Sequence, residues 1–259
     1  MKKLIFTSAV LMAIFVTGCE FKQSRYTSGE IYFKIAQMYY NGDILDKNAS
    51  KAKEYYEKAC IVDNYSACTN LGSMYEIGEA TEQNFTKAKE LYIKACEGEN
   101  PTGCYNIGVF YENGQGVAQN FSKAKDLYEK ACSLGEFAAC SNLGLLYENS
   151  EDIKQDFSKA KILYEKACEN GNIPGCSNLG VLYESGKGVS QNFFIAKEMY
   201  QRACDANDGM GCSNLAGLYY YGKGNKIDKD KANELFKKSC DLGIDLGCGY
   251  VELINNDKY

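Results

Sequence analysis

The chain has 259 residues, 45% of them apolar and 24% charged, with a net charge of −5 and a pI near 5.1, the composition of an ordinary soluble protein of one or two domains. It contains thirteen cysteines, only two prolines, no tryptophan and no histidine. The missing histidine excludes Ser-His-Asp and Cys-His catalysis and every histidine-containing zinc centre, and the acidic balance offers no basic surface to a phosphate backbone, so no nucleic acid is expected as a partner.

At the N-terminus, Lys2 and Lys3 precede an uncharged run from Leu4 to Val16, and Thr17 and Gly18 follow before Cys19. This order of charged, apolar and small residues predicts a signal peptide over residues 1–18, too short to span a bilayer. Val16-Thr17-Gly18-Cys19 also resembles the bacterial lipobox, in which the cysteine is acylated and begins the mature chain. A plain signal peptide with an incidental cysteine is the alternative. Cysteine arithmetic favours lipidation, because removing Cys19 from an odd count leaves twelve. Residues 19–24 would then be a lipidated linker, membrane contact would run through the lipid anchor, and the protein would reside in the periplasm or at the outer membrane, or be secreted.

From residue 25 onward the chain repeats with a period of 36. Fixed self-similarity at this period is the mark of a solenoid. The units are 25–60, 61–96, 97–132, 133–168, 169–204 and 205–240, followed by a partial cap at 241–250 and a tail at 251–259. Asn48, Asn84, Asn120, Asp156, Asn192 and Asp228 form a column of helix N-caps. Behind each cap runs a segment such as Phe121 to Cys132, in which Ala124, Leu127, Tyr128 and Ala131 recur at helical spacing. The other helix of each unit begins near the second cysteine, Cys140 in one unit, and carries Leu143, Gly144 and Tyr147. Gly114/Gly116, Gly186/Gly188 and Gly222/Gly224 end it, as suits left-handed geometry past a helix C-terminus. The expected fold is all-α: a right-handed α/α superhelix of about six helix-turn-helix repeats.

The twelve remaining cysteines fall into pairs eight residues apart: Cys60 and Cys68, Cys96 and Cys104, Cys132 and Cys140, Cys168 and Cys176, Cys204 and Cys212, Cys240 and Cys248. Eight residues of continuous helix span about 12 Å, whereas a disulfide needs Cα atoms within about 7 Å. The chain must therefore reverse between the members of a pair. The first then ends one unit and the second opens the next, across a short loop containing Gly135, Gly171 or Pro174. Zinc is the competing use of paired cysteines, but the spacing is not Cys-x-x-Cys and an exported chain meets an oxidising compartment. No metal and no cofactor are expected.

Cys140-x2-Leu143-Gly144-x2-Tyr147 and Ala160-x3-Tyr164 resemble the two helices of a tetratricopeptide repeat, with cysteine at the tryptophan position. The 36-residue length, the Asn-Leu-Gly-x-Leu-Tyr helix, the Gly-x-Gly-Val-x-Gln-Asn turn and the Lys-Ala-Cys ending resemble Sel-like (Sel-one-like) repeats more closely, in particular the disulfide-stapled Helicobacter cysteine-rich protein family. The first unit departs from the pattern, with Tyr32 where a cysteine would fall.

Some members of that family are described as penicillin-binding proteins or β-lactamases, so the resemblance implies a search for Ser-x-x-Lys pairs. Ser50 with Lys53, Ser122 with Lys125 and Ser158 with Lys161 satisfy the spacing. They recur in phase with the repeat, beside Thr86 with Lys89, and no Ser-Asp-Asn or Lys-Thr-Gly accompanies them. The tyrosine columns, including Tyr128 and Tyr164, read as packing residues between units. The better candidate for function is an unbroken column of Asn70, Asn106, Asn142, Asn178 and Asn214, with a second column, Glu76, Glu112, Glu148 and Glu184, six residues after the first four of these. A ladder of amides can donate and accept along an extended peptide, and variable neighbours such as Ser73, Val109 and Leu145 suit a non-repeating ligand. The same asparagines would equally serve by bonding the neighbouring unit. The expected function is a monomeric binding module for a peptide, protein or cell-wall fragment, with a β-lactam hydrolase as the alternative.

Overall fold

The computed structural model describes residues 26–224 and 226–256. The expected signal peptide, Cys19 and the 19–24 linker lie outside the described residues. Among the described residues there are thirteen α-helices and no strand. In chain order they are α1 Ser28–Asn41, α2 Ala49–Ile61, α3 Tyr65–Ile77, α4 Phe85–Glu97, α5 Pro101–Asn113, α6 Phe121–Ser133, α7 Phe137–Asn149, α8 Phe157–Glu169, α9 Ile173–Ser185, α10 Phe193–Asp205, α11 Gly209–Tyr221, α12 Lys229–Asp241 and α13 Asp245–Asn256. Odd-numbered helices are the first of each unit, here helix A, and even-numbered ones the second, helix B.

Side-chain chemistry at the ends accounts for the regularity. Every helix B from α2 to α12 starts at an Asn or Asp whose side chain accepts from a backbone N–H of its first turn, as Asn120 does from Lys123. A second column of caps starts helix A: Asn64, Asn100, Asn172 and Asp208. Pro174 does not stand in the loop between a cysteine pair. It lies in the first turn of α9, where its missing N–H costs no helical hydrogen bond. Gly114, Gly186 and Gly222 terminate helix A with φ near +70° (72°, 73° and 67°). The second glycine of each turn is also left-handed, and Gly116 and Gly188 crowd against Phe85 and Phe157 of the preceding unit's helix B, which leaves no room for a side chain.

Within a unit the two helices pack through the helix-B alanines and a tyrosine. Tyr92, Tyr128, Tyr164 and Tyr200 are all 0% exposed, each ring lying over Gly72, Gly108, Gly144 or Gly180 of helix A. Between units, six disulfides join Cys60–Cys68, Cys96–Cys104, Cys132–Cys140, Cys168–Cys176, Cys204–Cys212 and Cys240–Cys248, with Cα atoms 4.4–4.8 Å apart. Beside the bridges runs a second fastening: Lys94, Lys130, Lys166 and Lys238 each donate from Nζ to the carbonyl oxygen of Cys60, Cys96, Cys132 and Cys204 in the preceding unit. The carbonyl at the end of one helix B is thus satisfied by the cation of the next, a favourable match to the helix dipole.

The terminal units change together. The Gly, Glu and Tyr that interlock in the middle, such as Gly144, Glu148 and Tyr164, become Ala36, Tyr40 and Tyr56 at one end and Ala216, Tyr220 and Phe236 at the other. Loss of the carboxylate in the last unit accompanies loss of the hydroxyl it would accept from. Helix A of one unit packs on helix A of the next, as α3 does on α5 and α7 on α9, which no two B helices do to the same extent. The A helices therefore line the inner, tighter side of the curve.

Candidate functional site: the helix-A groove

Asn70, Asn106, Asn142, Asn178 and Asn214 are half-buried on this inner side. Each of four helix-B phenols is held by a glutamate of its own unit, and Tyr128 also by an asparagine of the next. Tyr92 Oη donates to Glu76 Oε2 at 2.6 Å, Tyr200 to Glu184 at 2.8 Å and Tyr164 to Glu148 at 3.1 Å, with Tyr128 bonded in the same way to Glu112. From the next unit, Asn142 Nδ2 donates to Tyr128 Oη at 3.4 Å and lies 3.5 Å from Tyr105 Oη, while Asn106 and Asn70 bond Tyr92 and Tyr56. Asn178 Nδ2 reaches Ser141 Oγ at 3.5 Å. Burial first and the adjacent carboxylate second push Tyr92, Tyr128, Tyr164 and Tyr200 well above the ordinary phenol range, so these hydroxyls remain protonated donors.

The asparagine and glutamate columns are therefore partly occupied in joining one unit to the next. No hydrogen bond among the described residues engages the amide oxygens of Asn142 and Asn178, whose side chains are half-buried. The Tyr–Glu pairing spans sixteen residues and two helices. Sequence reasoning missed it, although the joint change of Glu and Tyr columns in the last unit was the signal available.

Between the asparagines, the floor of the groove is Ser73, Val109, Leu145, Val181 and Gly217, one per unit. Two hollows open on it. One, of about 230 Å³, lies among Gln37, Tyr40, Asn70 and Ser73. The larger, of about 450 Å³, is lined by Glu112, Phe121, Leu145, Leu146, Asn149, Ser150, Glu151 and Asp152.

In each Ser-x-x-Lys pair the lysine stands beside a carboxylate. Lys53 Nζ lies 3.1 Å from Glu57, Lys125 Nζ lies 3.5 Å from Asp126, and Lys161 Nζ lies 2.8 Å from Glu165. The hydrogen bond to Glu165 raises the Lys161 ammonium above its usual value. At Lys53 burial pulls downward, but bonds to Glu57 and Tyr75 outweigh it and the net direction is again upward. A lysine that is to take a serine proton needs the opposite shift.

A stack of α/α hairpins with an accessible inner surface is a repeat scaffold, the class of protein whose binding residues come from several successive units. The Sel1 repeat model matches residues 31–61, 66–100, 101–136, 137–172, 173–208 and 209–244, and the chain belongs to the Sel1-repeat family, whose members are commonly protein-interaction modules. A Sel1 repeat protein from Oxalobacter formigenes is similar in structure, with 25% identity, a TM-score of 0.77 and coverage of 82% of this chain and 87% of its own. The protein c5321 of uropathogenic Escherichia coli, a protective antigen with the same fold, is 26% identical with a TM-score of 0.79. That match covers 87% of this chain and 48% of the E. coli protein, so the chain spans about half of its length. Cysteine-rich protein B of Helicobacter pylori shares 32% identity over 52% of this chain and 97% of its own, with a TM-score of 0.42. No curated protein matches the chain in sequence.

Proposed function

We propose that the protein is an exported lipoprotein of the bacterial envelope, attached through Cys19 after removal of residues 1–18, whose solenoid binds an extended peptide, protein segment or cell-wall fragment along the helix-A groove as a monomer. The carrying observation is the inward ladder of Asn70, Asn106, Asn142, Asn178 and Asn214, beside floor residues that differ from unit to unit. Repeated amides meet the repeated backbone of an extended ligand, and the varied floor meets its side chains. Six disulfides support an oxidising compartment, and no helix among the described residues is long and apolar enough to cross a membrane.

The test is envelope crosslinking and fluorescence anisotropy with labelled peptides under oxidising conditions, comparing the wild type with N142A/N178A. Loss of binding in a variant that keeps the wild-type helical circular dichroism spectrum at the assay temperature is the expected result. Equal binding by both proteins would remove the asparagine ladder from the site. Intact mass addresses the anchor: cleavage before Cys19 with a diacylglycerol adduct is expected, and an unmodified Cys19 refutes it. Nitrocefin turnover that disappeared on replacing Ser50, Ser122 and Ser158 by alanine would favour hydrolysis instead.

A further inference from the structure

The groove glutamates do not share the same neighbour. For Glu148 and Glu184, a lysine 39 places later, from the turn after helix A of the following unit, reaches back to the carboxylate, whereas Gln115 holds that register position for Glu76. Lys223 Nζ lies 2.9 Å from Glu184 Oε1 and Lys187 Nζ lies 3.9 Å from Glu148 Oε1. At the N-terminal end the same register sets Glu79 beside Tyr40, and this carboxylate holds the Tyr40 phenol above its ordinary range. The residue that answers to Glu112 in this register is Glu151, and Asp152 follows it. Where two neighbouring units supply an ammonium from their own chain, this unit supplies two further carboxylates. No ion pair among the described residues uses Glu112, Glu151 or Asp152.

The surroundings differ as well. The left-handed glycine that ends the other groove helices is replaced by Ser150, in extended geometry at φ −73°, and the turn is reshaped. Ser150 Oγ is shut off from solvent and has no hydrogen-bond partner. Leu145 is 37% exposed here, and together with Leu146 and Phe121 it gives the cavity of about 450 Å³ an apolar floor beneath the acidic rim. A hydrated metal ion gains nothing from such a floor. A lysine or arginine does, since its methylene stem can lie along leucine while the charged head reaches the carboxylates.

We infer that this slot receives the cationic side chain of an extended peptide ligand, taking the place that Lys187 and Lys223 fill in the next two units, with an apolar ligand residue seated on Leu145. The inference rests on the groove reading above and adds the class of segment bound: a basic residue flanked by apolar ones. Charge complementarity of this kind also orients the peptide in the groove and speeds its capture at low salt.

The experiment uses the full mature chain with its disulfides intact and a fluorescein-labelled Gly-Leu-Lys-Leu-Gly peptide, read by anisotropy and by backbone amide NMR shifts. Replacing the peptide lysine by norleucine, which keeps the stem and removes the charge, is expected to weaken binding about tenfold or more. Glu151→Lys, which installs the internal ammonium of the later units, is expected to do the same. Lys187→Glu should open a second slot and raise the stoichiometry from one peptide to two. Glu198→Lys, the same charge change on the helix-B side, should leave affinity within about twofold. Binding by Glu151→Lys equal to wild type, or amide shifts that avoid residues 145–153, overturns the inference. If the peptide binds elsewhere in the groove, only this slot fails. If it does not bind at all, the slot again fails, and the asparagine variants decide the groove by themselves.

Discussion

Gly144→Ala should be among the more damaging single-methyl changes in the molecule. A β-carbon built at Gly144 would stand 2.5 Å from Cε1, 2.9 Å from Cδ1 and 3.0 Å from Cζ of Tyr164, where carbons in ordinary contact sit about 3.5–4.0 Å apart. The ring must therefore move by about 1 Å, yet it is fully buried and its hydroxyl is tied to Glu148 at 3.1 Å. Overpacking of this size costs about 1–3 kcal/mol. Breaking the hydrogen bond to a carboxylate adds about 1.5–3 kcal/mol, and the better helix propensity of alanine returns about 1 kcal/mol. The net expectation is a loss of about 1.5–5 kcal/mol, measured by urea denaturation followed by circular dichroism with the disulfides intact. Gly217→Ala is the matched control. It stands at mid-helix in α11 with nothing within 4 Å of the added carbon, so it should stabilise by about 0.5–1 kcal/mol. A Gly144→Ala protein within about 0.5 kcal/mol of wild type would refute the interlock as the reason for glycine in this column.

Three further outcomes follow from the same geometry. Replacing Cys132 and Cys140 together by alanine opens a loop of eight residues, and the chain-entropy model assigns such a closure about 2.5 kcal/mol; an unchanged denaturation midpoint would show that the bridge constrains nothing. Lys130→Met removes the 2.6 Å bond to the Cys96 carbonyl and should cost about 1 kcal/mol in the same assay, whereas Glu198→Gln on an exposed face should cost nothing measurable. Alkaline pH should destabilise the protein: Tyr92, Tyr128, Tyr164 and Tyr200 hold their protons above the ordinary phenol range, so above about pH 10 the unfolded chain binds fewer protons than the folded one and stability falls as pH rises. Phenolate absorbance should rise together with loss of helical signal rather than before it for these four residues, and early titration of all tyrosines in a still-folded protein would contradict the burial argument.

The repeat was legible because its signals are local and additive. Asn120 caps α6, Gly114 closes α5 with positive φ, and the Cys132–Cys140 spacing alone demands a chain reversal, so each can be read without knowing how units stack. What lay beyond the sequence depends on how one helix meets another in space. Gly144 read as part of a helical stripe, and its service as a seat for Tyr164 appears only when the two helices of a unit are docked. The Lys130 bond to Cys96 and the Lys223 pair with Glu184 cross 34 and 39 residues, separations set by the superhelical advance from one unit to the next. The asparagine column can be read from sequence as ligand-binding or as structural, and its geometry shows a structural share: an amide hydrogen of Asn142 and of Asn178 goes to the neighbouring unit.

The disulfides also set where the backbone can be cut without consequence. Each bridge encloses only the short turn between successive units, as Cys60–Cys68 encloses Val62 to Asn64. A protease that nicked the chain at Asp63 would leave both fragments covalently joined through the sulfur atoms. The same nick in the turn between α7 and α8, at residues 150–156, lies inside no bridge and would leave the two halves held by packing alone. Resistance to fragmentation should therefore alternate along the chain: the turns between repeats are insured against breakage, and the turns within repeats are the places where a single cut divides the molecule.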